Sequence, residues 1–99
     1  MIKIKLTGKA LRDLAVGNVF YEDQESGLGD YFASCLESDI EGLKVTAGIH
    51  RQTHADYHRL ISRVFPYAIY YTFSDETAVI WAVVDCRRDP KWIRCHLAE

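Results

Sequence analysis

Seven apolar residues in a row, AVIWAVV from Ala78 to Val84, constrain this chain more than any other feature. A strand with one wet face alternates apolar and polar residues, whereas an unbroken run reads as a strand covered on both faces. The run is far too short to span a bilayer, which takes about 20 apolar residues as a helix. It predicts a central strand over Thr77–Asp85, for which the rest of the chain must supply cover. At 99 residues there is room for one domain, residues 1–99. A domain this short buries only about two-thirds of its unfolded surface, so its core must be dense. A composition that is 48% hydrophobic and 12% aromatic meets that need.

Upstream, Ile2, Ile4 and Leu6 alternate with Lys3 and Lys5, the pattern of a half-buried strand with lysines on its wet side. Thr7 then stands as the N-cap of a helix whose apolar face is predicted as Leu11, Leu14, Ala15, Val19 and Phe20, with Gly17 and Asn18 weakening its middle. QESGLGD breaks that helix, and Ser26 is placed to cap a second. Leu28, Tyr31, Phe32, Cys35, Leu36, Ile40 and Leu43 follow i, i+3, i+4, i+7 spacing, with Gly42 near the end. Lys44 to Tyr57 has no clear period and reads as a loop with some strand.

From His58 onward the chain reads as strands. Leu60, Ser62 and Val64 are expected on one face, and Ile61, Arg63 and Phe65 on the other. Pro66 should mark an edge or bulge, because proline cannot donate to a ladder. In FPYAIYYTF, alternation puts Phe65, Tyr67, Ile69, Tyr71 and Phe73 in the core and leaves Tyr70 as the ring facing outward. Ser74–Glu76 is a hairpin turn. Asp89 and Pro90 open a short last helix. The order β-α-α-β-β-β, with a short C-terminal helix, predicts an α+β fold of two layers: a helical hairpin on a small, mostly antiparallel sheet.

The net charge of −2 gives no overall attraction to a polyanion. Its distribution is uneven, since six of the seven arginines lie in the second half. Three cysteines (Cys35, Cys86, Cys95) with no CxxC pair, and no signal-like N-terminus, point to free thiols and a cytoplasmic protein without membrane attachment. Arg87 and Arg88 follow the central strand, where paired guanidinium groups can hold an anion; the competing reading is simple pairing with Asp85 or Asp89. Arg59 reads as an ordinary solvated residue. His50, His54 and His58 form an H-x3-H-x3-H series that would present one face, and a possible zinc site, only on a helix. Cys86 is either a reactive thiol or a buried structural one. No cofactor or metal is expected.

Three segments resemble the RelE/ParE superfamily of bacterial toxins, nearest its ParE-type, plasmid-stabilisation branch. FYEDQESGLGDYF (Phe20–Phe32) is similar to the branch's helix–break–helix. RVFPYAIYY (Arg63–Tyr71) is similar to its Arg-x-Phe-Pro-Tyr strand entry. AVVDCRRDPKW (Ala82–Trp92) is similar to its final strand running into Arg-Arg-x-Pro. The resemblance implies the same small α+β fold and the toxin of a type II toxin–antitoxin pair, neutralised by a cognate antitoxin. It implies growth inhibition by binding a target such as DNA gyrase. On this reading the target or antitoxin surface comprises Arg63, Tyr70, Arg87, Arg88, Lys91 and Trp92. The enzymatic alternative is a ribosome-dependent mRNA endoribonuclease. Its catalytic candidates are Arg63, Arg87, Arg88, His54 and His96, with a histidine as general acid or base and arginines on the phosphate. A single lysine, Lys44, in the loop before the sheet departs from the lysine-rich clusters of RelE-like nucleases. A third alternative is an inactive toxin fold kept as a binding module.

Overall fold

Thr7 ends β1 (Lys3–Leu6) and begins α1 (Gly8–Gln24), its hydroxyl accepting the Ala10 amide at 3.1 Å. The computed structural model describes all 99 residues except the side chain of His54. After α1 come α2 (Leu28–Glu41), the single turn α3 (Leu43–Thr46), β2 (Gln52–His54), β3 (Tyr57–Ile61), β4 (Tyr67–Ser74), β5 (Thr77–Asp85) and α4 (Pro90–Ala98). The five strands form one mixed sheet in the order β1-β5-β4-β3-β2. β1 runs parallel to β5, and the other neighbours are antiparallel. Asp75 and Glu76, both at positive φ (50° and 56°), make the tight β4–β5 turn, as a type I′ hairpin requires. No helix among the described residues is long and apolar enough to cross a membrane.

The two faces of the sheet are covered differently. One carries Phe32, Leu36 and Ile40 from the helical hairpin and Leu43 from α3, packed on Ile69, Tyr71, Ile80 and Val83. The other carries a smaller cluster in which Ile93 and Leu97 of α4 meet Ala68, Tyr70, Ala82 and Val84. The expected two layers are therefore three where α4 lies, because β5 has apolar side chains on both faces and each needs cover. β5 is not a regular strand. Tyr70 pairs with Ala82 and Tyr71 with Ile80, leaving Trp81 as the extra residue of a β-bulge. The bulge sits at Trp81 rather than at Pro66. Pro66 lies just before β4, and its carbonyl accepts the Cys86 amide at 2.9 Å.

Several local expectations change. The inward face of α1 is Ala10, Leu14, Gly17 and Tyr21, whereas Leu11, Val19 and Phe20 are exposed. Close helix packing selects small residues: a Cβ on Gly17 would lie 2.6 Å from the Phe32 ring, and one on Gly29 2.7 Å from the Asn18 carbonyl. Asn18 Nδ2 donates to the Gly29 carbonyl at 3.0 Å, so Gly17 and Asn18 form the helix crossing rather than a weak point. Ser26 does not cap α2. The Glu22 carboxylate accepts the Gly27 and Gly29 amides instead. The alternation expected through Phe65 stops at Ile61, because Ser62 and Arg63 turn to α2. There the Ser62 hydroxyl donates to buried Asp39 at 2.7 Å and Arg63 Nε at 2.9 Å.

Candidate functional site

The edge of β5 loses its strand partner where β1 stops, at the Leu6–Ile80 pair. α1 crosses the open edge beyond. Val83 N–H donates to Asp13 Oδ2 of α1 at 2.9 Å, so a carboxylate takes the place of a strand carbonyl. The same carboxylate accepts from His96 Nε2 of α4, at 2.9 and 3.0 Å to its two oxygens. Lys9 Nζ donates to the His96 carbonyl and, at 3.4 Å, to those of Leu97 and Glu99, a cation on the orphan carbonyls of a helix C-terminus. One turn of α1 thus ties β5 and α4 together.

Between α1 and α4 lies a groove of 460 Å³ at the C-terminal end of β5. Val16 and Phe20 form its helical wall and are 69% and 54% exposed. Opposite, Trp92 is stacked on His96, with ring centroids 4.8 Å apart and planes 11° apart. The Arg88 guanidinium covers the Trp92 ring at 4.0 Å, a cation–π contact. Arg87 forks onto Asp85, with Nε–Oδ1 at 2.9 Å and a terminal nitrogen to Oδ2 at 2.7 Å. That hydrogen-bonded pair holds the Asp85 carboxyl below the usual carboxylate range and pushes the Arg87 guanidinium up. Tyr67 lies at the groove floor, its phenol pushed up to about 12 by burial, with Tyr21 and Asp85 adding to the effect.

The groove brings Arg87, Arg88, Trp92 and His96 together and adds Asp13, which sequence reasoning missed. Nothing local marks Asp13, since its partners are 70 and 83 residues away. Arg63 does not line the groove; it is held on Asp39 of α2. Lys91 stands at the exposed start of α4, its amide donating to Asp89 Oδ1. The expectation that Tyr70 faces outward is corrected: it is 3% exposed, because α4 covers its side of the sheet. The side chain of His54 lies outside the described residues. The H-x3-H-x3-H series is not helical. His50 precedes β2 and His58 lies in β3, where His58 stacks on Tyr71 with centroids 5.0 Å apart. His50 Nδ1 meets the Tyr71 hydroxyl at 2.5 Å, and the Tyr71 oxygen also accepts the Gly48 amide at 3.0 Å. Burial, and then the neighbouring His58, lower the His50 pKa. Among the described residues no group of His, Cys, Asp and Glu is arranged to hold a metal ion.

The architecture aligns with a chain of the "Chromosomal ParDE TA system from P. aeruginosa" at a TM-score of 0.73, over 86% of this chain and 96% of that one. The two chains share one fold. Identity across the alignment is 14%, so the likeness is one of architecture. No family model and no curated protein matches the sequence.

Proposed function

We propose that this chain is the toxin of a type II toxin–antitoxin pair, inhibiting growth by binding a protein target such as DNA gyrase and neutralised by a cognate antitoxin. The observation that carries this reading is the ParE-like fold, matched over 86% of the chain to a component of a toxin–antitoxin system. The groove supports binding rather than cleavage. Its walls are exposed apolar side chains, Val16, Phe20 and Trp92, and its rim carries Arg87 and Arg88, a composition suited to a protein partner. Of the two histidine candidates of the endoribonuclease reading, His54 and His96, the latter has its Nε2 held by Asp13 and its Nδ1 facing Glu99 at 3.3 Å.

Inducing the chain without an antitoxin tests the proposal. The expected outcome is growth arrest with a DNA-damage response and intact transcripts. Arg87→Ala combined with Arg88→Ala should abolish the arrest while leaving the folded protein soluble. Cleaved mRNA bearing 2′,3′-cyclic phosphate ends would transfer the assignment to an endoribonuclease. Unimpaired growth with the wild-type chain would make it a binding module without toxicity.

A further inference from the structure

On the sheet face opposite the helical hairpin, a second cleft of 240 Å³ opens between α4 and the β3–β4 pair. Three arginines from three parts of the chain line it: Arg59 of β3, Arg88 from the turn after β5, and Arg94 of α4. Among the described residues no carboxylate lines it. Among the described residues none of these three guanidinium groups makes an ion pair, in contrast to Arg63 and Arg87, which each hold an aspartate. Three uncompensated cations around one small cleft repel each other and favour an anion between them.

A second observation points the same way. Tyr70 stands directly across the ladder from Arg59 and is 97% buried by the α4 packing. Among the described residues its hydroxyl has no hydrogen-bond partner. Among the described residues no fully buried side-chain oxygen or nitrogen lacks a partner, so this hydroxyl is not sealed in. Tyr70 and Thr53, both carrying hydroxyl groups, line the cleft together with the arginines. Three guanidinium groups and the hydroxyl-bearing Tyr70 and Thr53 around one cleft offer both the charge and the donors that an oxyanion needs.

We propose that this cleft binds a phosphate dianion, either free phosphate or the terminal phosphate of a small monoester. Three positive charges match a dianion better than the single charge of a phosphodiester, and 240 Å³ holds a phosphate and a small carrier but no length of polymer. The site shares Arg88 with the groove but does not rest on the toxin assignment, and it is tested on the purified full-length protein with no measurement of growth. Inorganic phosphate and a nucleoside 5′-monophosphate are titrated separately, following arginine Nε–Hε resonances by NMR. At least one should bind saturably and shift the signals of Arg59, Arg88 and Arg94. Tighter binding of the monophosphate would identify the source as an ester, and equal binding as free phosphate. Arg59→Gln and Arg94→Gln change exposed side chains, and each should weaken binding about tenfold, the loss of one charge-assisted hydrogen bond. Tyr70→Phe should weaken it about threefold, a smaller loss because the donor is neutral. No saturable binding, unchanged affinity in the two arginine variants, or equal affinity for an oligonucleotide lacking a terminal phosphate would each overturn the assignment.

Discussion

The two faces of the sheet differ in what fills them. The hairpin side is closed by large side chains: Phe32, Leu36 and Leu43 meet Tyr71, Ile69 and Ile80, all fully buried. The α4 side rests on Ala68, Ala82 and Val84 under two residues, Ile93 and Leu97, with arginines around its margin. Apolar burial scales with area, so most of the stabilisation comes from the hairpin side. The α4 side encloses less and leaves open clefts at its edges. The face that holds the protein together and the face that offers chemistry are different, and α1 joins them through Asp13 and Lys9.

The strongest way to break this comparison is truncation on each face. Phe32→Ala should cost about 3–5 kcal/mol, the usual loss for a fully buried aromatic. Leu97→Ala should cost about 2 kcal/mol, near the low end for aliphatic truncations, because its site is shallower. Equal losses in chemical denaturation would erase the asymmetry. Gly17→Ala comes next. The new methyl meets the Phe32 ring, and overpacking should cost about 1–3 kcal/mol against a helix-propensity gain of about 1 kcal/mol, for a net loss seen in Tm. Asp13→Ala leaves Val83 N–H without its acceptor and should cost about 1–3 kcal/mol. Hydrogen exchange at Val83 should then speed up more than at Ile69, which sharpens the claim that Asp13 closes the strand edge.

The smallest effect is that of pH at His50. Its folded pKa is lowered, so the unfolded chain takes up its proton first as pH falls. The contribution is fully present above the ordinary histidine value of about 6.5 and is lost as pH falls through the lowered folded value. Tm measured from pH 7.5 to 5 should drop more in the wild type than in His50→Gln; parallel curves would remove His50 from the account.

Local patterns were legible where neighbours in sequence are also neighbours in space. The Thr7 cap, the Phe32-Leu36-Ile40-Leu43 stripe, the hairpin at Asp75 and Glu76, and the Asp89–Pro90 helix start all follow from short-range chemistry. The inner face of α1 is not legible in the sequence because its apolar residues surround the helix, and only the crossing at Gly17 and Gly29 selects that face. In the groove, Arg87, Arg88, Trp92 and His96 stood out by residue type within one short segment, while Asp13 did not.

Sequence alone determined the main elements, their order and a central strand needing cover on both faces, because periodicity and capping act within a few residues. It did not determine α3 or β2, which fall in the segment without a clear period. Only the tertiary structure decided which face of α1 turns inward, where the bulge in β5 falls and which arginines stay unpaired. It buried Tyr70 under α4, drew Arg63 to Asp39 and Arg87 to Asp85, and left Arg59, Arg88 and Arg94 around a common cleft. Those outcomes depend on contacts between residues far apart in the chain, where the geometry of packing decides which partner each side chain can reach.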